Sequence, residues 1–383
     1  MAFKTKRNRL VGSVLAAAAA LGLAAVLTAA QVEASESVAP AGRPNAASVH
    51  AHLRRGPVVA ADGRSPGATD LEASSPLADP GARSPGPAGA TDVPDDPDGA
   101  VGQSRLPLAV REGLKPLLPP AVPGWDISAV TLRWQGLDRY YLVARPRGDT
   151  GSRLPLLVVL HGHGMLPASM EPVSHFLQTV GRAVVVYPAG YWASWDAGYC
   201  CGGAARAGVD DVGFIEAVVR QVRDAGPRRL AGPTFVVGYS NGGRMAYRLA
   251  CQDPGAFAGV AAVEAVPVFS CPGTRPVSLL VIASTGDPLI TVSDNLPPKR
   301  IRGHVEMTVE DTVSTWRQLD GCTGRPQAAH AGLFAVQRWQ CGAGATLELA
   351  VRPGGSHAWF QGSPGTPSDQ SLVWSFFSSA GRG

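Results

Sequence analysis

Aromatic residues are almost absent from the first third of the sequence. No Phe, Tyr or Trp occurs between Lys4 and Gly124, and residues 35–104 are rich in Pro, Gly, Ala, Ser and Asp instead. Without large apolar side chains to bury, such a segment cannot offset the entropy lost on ordering. We therefore predict a disordered linker over 35–104 and one folded domain over 105–383.

Cysteine is also absent before Cys200, which excludes a lipid-anchored lipoprotein. The chain instead begins with a basic cluster and an Ala/Leu/Val-rich run that ends in small residues near Ala30 and Ala34. These features predict a signal peptide over 1–34 and a secreted, extracellular protein. An uncleaved anchor is the alternative, because about 20 apolar residues can span a bilayer.

All six cysteines lie in the predicted domain, and with an export signal they indicate disulfides. Cys251 with Cys271 and Cys322 with Cys341 are the preferred pairs, because each closes a short local loop. A bond between the adjacent Cys200 and Cys201 would be strained, so distant pairing and free thiols are both left open for them.

Charge is nearly balanced, with 34 basic and 30 acidic residues. No basic cluster is interleaved with aromatics, so nucleic acid is not an expected partner. No second ligand stands at a metal-binding spacing from His163, so neither a metal nor another cofactor is expected. We predict a monomer that acts on a small or oligomeric substrate and is not inserted in a membrane after cleavage.

Short runs that are apolar on both faces alternate with helical patterns. They predict a doubly wound, mostly parallel α/β sheet with helices on both faces and the site at the carboxyl ends of the strands. The predicted strands are an opening hairpin (130–134 and 139–144) and runs at 154–160, 183–187, 234–239, 279–283 and 347–351. The predicted helices cover about 210–223, 241–251, 306–319 and 371–378.

Two segments match the pattern G-x-S-x-G, and their context separates them. Around Ser65 the match lies in the predicted linker, with no strand before it. Ser240 follows an apolar run and precedes a helix pattern. That is the strand–turn–helix setting of the nucleophile elbow in α/β hydrolases, so we predict Ser240 as a nucleophile.

A serine hydroxyl needs a base, and in this fold an acid and a histidine follow the serine along the chain. Of the three later histidines, only His357 stands in a flexible Gly-Gly loop directly after a strand; His304 and His330 read as surface residues. Asp287 follows the 279–283 run and is the predicted acid, with Asp294 and Glu264 as its competitors. The predicted oxyanion-hole donors are the backbone N–H groups of Asn241 and His163.

Together these motifs resemble the secreted polyhydroxybutyrate depolymerase/feruloyl esterase family, including its LpqC-like members. The similarity runs from about Leu132 to Phe377. It implies an α/β-hydrolase fold and a serine esterase with the triad named above. The motifs are His161-Gly162-x-Gly164, Tyr187-Pro188, Cys200-Cys201-Gly202, Asp210-Asp211-Val212-Gly213-Phe214, Gly238-Tyr239-Ser240-Asn241-Gly242-Gly243, Asp287-Pro288 and Gly355-x-His357-x-Trp359.

The expected substrates are hydroxycinnamoyl or acetyl esters of polysaccharides, or hydroxyalkanoate esters of the polyhydroxybutyrate type. Trp192, Trp195 and Trp359 stand in loops at the predicted catalytic end, where they would stack on an aromatic acyl group or a sugar, or simply pack. Two other functions are weighed: a serine peptidase on the same fold, and a catalytically silent binding module at a cell surface.

Overall fold

The computed structural model describes residues 117–148, 153–225, 230–273, 275–297 and 299–381. The predicted signal peptide and linker, and the start of the predicted domain at 105, lie outside these residues. In the described part, no helix is both long and apolar enough to cross a bilayer.

Ten strands form one sheet, in the order β1-β2-β4-β3-β5-β6-β7-β12-β11-β10. The six strands from β4 to β12 in this order run parallel, and the two at either end are antiparallel. The strands are β1 (Trp125–Trp134), β2 (Leu137–Pro146), β3 (Leu156–Leu160), β4 (Val184–Pro188), β5 (Thr234–Tyr239), β6 (Gly259–Val263), β7 (Leu279–Ser284), β10 (Thr323–Ala331), β11 (Phe334–Gln340) and β12 (Thr346–Arg352). A separate hairpin pairs β8 (Arg300–Ile301) with β9 (His304–Val305).

Seven helices connect these strands within the described residues, and their starts follow local chemistry. Asp210 caps the fourth helix by accepting from the Gly213 N–H, and Thr308 with Asp311 forms a capping box on the sixth. The helices are α1 (Pro167–Ser174), α2 (Phe176–Thr179), α3 (Gly202–Ala207), α4 (Asp211–Asp224), α5 (Asn241–Gln252), α6 (Val309–Leu319) and α7 (Asp369–Ala380).

The sheet separates two apolar cores, because alternate residues of each buried strand face opposite sides. Val158 of β3 belongs to the core that α4, α5 and α6 cover on one side, whereas its neighbour Val159 belongs to the core that α1, α2 and α7 cover on the other. The order of strands and the helices on both faces are those of the α/β-hydrolase fold, as predicted.

Seven predicted runs match described strands, to within two residues except at the start of β1; besides the short β8–β9 hairpin, three strands of the large sheet were not predicted. These are β6, with the small-residue sequence Gly-Val-Ala-Ala-Val, and the antiparallel pair β11–β10. The outermost strand, β10, is largely exposed, contains Pro326, and has an irregular register between Thr323 and Gln327.

Three disulfides join the six cysteines. The preferred pairs are both present, Cys251–Cys271 and Cys322–Cys341. The third bond joins the adjacent Cys200 and Cys201, which is neither of the two arrangements left open for them. No free cysteine remains in the described residues.

Candidate active site

Ser240 lies at a sharp turn between β5 and α5. Its backbone has φ 53° and ψ −119°, a conformation that non-glycine residues rarely adopt and that brings the side chain to the sheet's carboxyl edge. The turn is crowded. A Cβ on Gly238 would lie 1.9 Å from the Gly242 carbonyl oxygen, and a Cβ on Gly242 would lie 2.4 Å from the Leu160 oxygen. Both positions therefore need glycine.

Three side chains that are distant in sequence are joined by two successive hydrogen bonds at this edge. His357 Nε2 lies 2.8 Å from Ser240 Oγ, and His357 Nδ1 lies 2.7 Å from Asp287 Oδ2. Asp287 follows β7, and His357 follows β12, the parallel neighbour of β7. Each distance is suitable for proton transfer from a hydroxyl to an imidazole oriented by a carboxylate.

The surroundings of Asp287 keep it ionised and oriented. Its Oδ1 accepts from the backbone N–H groups of Leu289 and Ile290 at 2.6 and 3.0 Å. Burial alone would raise the pKa of this carboxyl, but the hydrogen bond and charge of His357, with further bonds from Glu264 and Leu289, hold the pKa below its ordinary value. The Tyr239 hydroxyl donates to the His357 carbonyl at 2.8 Å and fixes the histidine loop.

The two predicted oxyanion donors lie beside the serine. Asn241 is the first residue of α5, and its side-chain amide pairs with both backbone groups of Trp195. Among the described residues, the backbone N–H groups of Asn241 and His163 donate to no protein acceptor. Both residues line the same cavity as Ser240. A helix N-terminus also favours negative charge at this point.

A cavity of about 190 Å³ opens in front of Ser240. Its walls combine apolar side chains with cationic ones, and the Cys200–Cys201 disulfide forms part of them. The Arg244 guanidinium pairs with Glu306 in the wall of the cavity, and both are largely buried. The lining residues are His163, Cys200, Cys201, Ser240, Asn241, Arg244, Pro288, Leu289, Lys299, Arg300, Ile301, Glu306 and His357.

None of the three predicted substrate-binding tryptophans lines this cavity. Trp195 is fully buried and donates to the His161 carbonyl, and Trp359 is buried and donates to Gln370. Both are core residues, which corrects the prediction that they stack on substrate. Trp192 is 40% exposed, stacks on Tyr191 and contacts the start of α3.

The competing residues have other roles. Asp294 accepts from the Thr308 hydroxyl at the start of α6. His304 lies in β9 and stacks on Tyr199, and His330 is exposed on β10. Glu264 is buried beside Asp287. No three His, Cys, Asp or Glu side chains of the described residues converge as a metal site.

One functional neighbour was missed from the sequence. His161 is buried; its Nδ1 lies 2.8 Å from the Gly162 carbonyl, and its Nε2 accepts from the Gly190 N–H at 2.9 Å. Burial lowers its pKa to about 4, so the ring is neutral at neutral pH. It ties the loop after β3, which contains His163, to the loop after β4.

Comparison with known proteins agrees with the predicted resemblance. No family model matches the chain. A protein of Aspergillus terreus named as a feruloyl esterase C is 25% identical over 258 residues, which are 63% of this chain and 84% of that protein. NocK of Nocardia uniformis, described as an esterase, is 34% identical over 140 residues, 35% of this chain.

The aligned part spans only 40% of NocK. Among solved structures, an acetyl xylan esterase from Aspergillus awamori superposes with a TM-score of 0.48 and 13% identity, over 66% of this chain and 99% of that one. The chain is thus similar in sequence to feruloyl esterases. Its α/β-hydrolase fold follows from the strand order and from the helices on both faces of the sheet.

Proposed function

We propose that the protein is a serine carboxylic-ester hydrolase with Ser240 as nucleophile, His357 as general base and Asp287 as the acid that orients the histidine. The continuous hydrogen-bonded line from Ser240 through His357 to Asp287 carries this proposal. The elbow conformation of Ser240 and the sequence similarity to feruloyl esterases support it independently.

The first half of the reaction forms an acyl-enzyme. Ser240 Oγ attacks the ester carbonyl carbon while His357 Nε2 takes the hydroxyl proton, and Asp287 stabilises the resulting imidazolium. The negative charge that develops on the carbonyl oxygen is stabilised by the Asn241 and His163 N–H groups. When the intermediate collapses, the C–O bond of the ester breaks and His357 gives its proton to the departing alcohol.

The second half repeats these steps with water. His357 takes a proton from water, the resulting hydroxide attacks the acyl carbon, and the proton returns to Ser240 Oγ as the carboxylic acid leaves. This cycle consumes one ester and one water, and the chain's own side chains supply every proton transfer.

The proposed substrates are hydroxycinnamoyl or acetyl esters of polysaccharides, with hydroxyalkanoate esters as the other candidate class. Leu289, Ile301 and Pro288 give the cavity an apolar wall for an acyl group, and Lys299 and Arg300 add donors near it. Relative rates on methyl ferulate, acetylated xylan and hydroxybutyrate oligomers would separate the classes, because each differs in the acyl group that this wall must accept.

The residues of the same site also distinguish the ester hydrolase from two alternative functions. An aminopeptidase-like enzyme would need carboxylates to bind a charged amino terminus, whereas the described cavity lining contains only Glu306, already paired with Arg244. A silent binding module would have an unreactive serine.

Labelling with a fluorophosphonate probe tests the proposal directly. The full chain should be labelled and should hydrolyse p-nitrophenyl acetate, and Ser240→Ala should do neither. Ser65→Ala, in the other G-x-S-x-G match, is the control and should behave like the parent. An unlabelled parent chain that is folded would contradict the proposal.

We also propose that the protein is exported and that its signal peptide, within residues 1–34, is removed by cleavage after Ala30 or Ala34. The basic start and the apolar run before Ala30 support this. Amino-terminal sequencing of protein recovered from culture medium would check it. A start after Ala30 or Ala34 is expected, and retention of Met1 in a cell-associated protein would contradict it.

A further inference from the structure

A second carboxyl lies directly behind the proposed acid. Glu264 follows β6 and is only 1% exposed. Its backbone φ of 47° is unusual for a residue with a side chain, and its N–H donates to the Ile282 carbonyl of β7. Such conformations persist where surrounding contacts hold them and are frequent at functional sites. The turn brings the carboxyl toward the end of β7.

Ser284 holds the Glu264 carboxyl from one side. The Ser284 hydroxyl donates to Glu264 Oε1 at 2.5 Å, and the Ser284 N–H donates to Oε2 at 3.1 Å. Arg352 of β12 donates to the same hydroxyl at 2.9 Å. The guanidinium therefore reaches Glu264 only through the serine, and no ion pair neutralises this buried carboxyl within the described structure.

On its other side Glu264 faces Asp287: Ser284, which donates to the Glu264 carboxyl, also accepts the Asp287 N–H, and each of the two carboxyls shifts the pKa of the other. Two neighbouring buried carboxyls can share a hydrogen bond only when one of them carries a proton, because an ionised carboxylate is an acceptor alone. Asp287 already accepts from Leu289, Ile290 and His357, all of which favour its ionised form. The proton therefore belongs to Glu264.

We propose that Glu264 is a positioning residue: it stays protonated and donates to Asp287, which keeps that carboxylate aligned on His357. This inference rests on the proposed function. The four acceptor sites of the Asp287 carboxylate are then filled by four donors, so the acid cannot rotate away from the imidazole. Glu264 does not replace Asp287 as the acid, since His357 contacts Asp287.

The charges around Glu264 agree with this assignment. Burial is the main cause that raises the pKa of Glu264 to about 9, and the neighbouring Asp287 raises it further. Tyr239 of β5 lies near enough to be affected by Glu264. Arg352 on β12 and His357 beyond Asp287 complete the charged or titratable groups facing this position. Loss of the proton would place two anions side by side next to the base.

A pH profile of the full-length enzyme tests the proposal. With p-nitrophenyl acetate and subtraction of spontaneous hydrolysis, kcat/KM of the parent should fall about tenfold per pH unit above about 9. Glu264→Gln retains a donor toward Asp287 but cannot ionise. This variant should keep its activity near neutral pH within a few-fold and lose the alkaline decline.

Glu264→Ala should lower kcat about 10- to 100-fold with little change in KM, because the acid loses its support. Lys299→Gln is the control: burial lowers the pKa of Lys299, which lines the cavity, so its own titration is the competing cause of an alkaline decline. That variant should retain the decline, whatever its rate.

A decline that persists unchanged in Glu264→Gln, or disappears in Lys299→Gln, would overturn the inference. So would Gln and Ala variants of equal, strongly reduced activity while both remain folded by circular dichroism. If the parent neither reacts with the fluorophosphonate probe nor hydrolyses esters, the proposed function itself fails, which is a different result.

Discussion

Asp287 Oδ2 lies 2.7 Å from His357 Nδ1, although the two residues are 70 positions apart in sequence. The pairing depends on two adjacent parallel strands, β7 and β12, whose carboxyl ends lie side by side. It also depends on the loop glycines. A Cβ on Gly286 would lie 2.3 Å from the Gly355 carbonyl oxygen, so the two loops pack backbone against backbone.

Asp287→Asn should leave the fold intact and lower kcat by about 10⁴-fold, because the amide no longer fixes the histidine tautomer or stabilises the imidazolium. Asp294→Asn is the matched control, since Asp294 contacts Thr308 at the start of α6 instead. The control should keep the parent's kcat with p-nitrophenyl acetate. Equal activity of both variants would remove Asp287 from the mechanism.

Gly202→Ala should disturb the proposed oxyanion loop. Gly202 has φ +71°, and a Cβ there would lie 2.7 Å from His163 Nε2. Gly208, at the other end of α3, has φ +60° with nothing within 4 Å of its Cβ position. Both substitutions should cost about 1 kcal/mol of stability through backbone strain.

Only Gly202→Ala should also lower kcat/KM, by about 10- to 100-fold, since it displaces His163. Steady-state kinetics and urea unfolding of both variants would distinguish the effect of the contact with His163 from the effect of backbone strain at the substituted glycine. If Gly208→Ala lost as much activity as Gly202→Ala, strain in α3 alone would explain the effect and the contact with His163 would be irrelevant.

His161 should make the protein less stable in mild acid. Its folded pKa of about 4 lies below its ordinary value of 6.5, so the unfolded chain binds a proton that the folded one excludes between those values. The unfolding free energy should therefore fall as pH drops from about 6.5 to about 4, by on the order of 3 kcal/mol.

A His161→Gln variant should be less stable near neutral pH but lack this part of the pH dependence. Urea midpoints measured across that pH range should therefore change less with pH in this variant than in the parent. His330→Gln, at an exposed position on β10, should keep the parent's slope. A slope unchanged by the loss of His161 would contradict the neutral, buried imidazole.

Each of the two longer-range disulfides should contribute measurably to stability. Cys251–Cys271 and Cys322–Cys341 join residues 20 and 19 positions apart. Replacing either pair by serine should lower the unfolding free energy by about 3 kcal/mol, because the unfolded chain regains the entropy of the open loop. Denaturant unfolding of the two double variants would measure it, and a midpoint equal to the parent's would contradict it.

The sequence predicted the central strands because β3, β4, β5 and β7 are buried on both faces, so burial appears as uninterrupted apolar runs. β6 was missed because Gly-Val-Ala-Ala-Val fits a helix as well as a strand. β10 is mostly exposed, so no apolar pattern marks it.

The positions of Ser240, Asp287 and His357 were predicted from strand ends, since parallel strands bring their carboxyl ends to one edge. The orientation of the side chains in the loops was not predictable. Nothing in the sequence shows that Trp195 points into the core or that His161 connects two loops, because both depend on how the loop after β4 folds back over the sheet. The proximity of Glu264 to Asp287 likewise requires the positive φ of Glu264, which secondary-structure propensities do not indicate.

The outer edge of β10 has a consequence for self-association. A free strand edge can recruit the same edge of another molecule through its unpaired amides. Here Pro326 removes one amide donor, and the irregular register between Thr323 and Gln327 interrupts the straight row that a second strand would need. The outer edge of β10 is therefore poorly suited to pair with the same edge of a second molecule, so we do not expect the ten-stranded sheet to continue from one molecule into another.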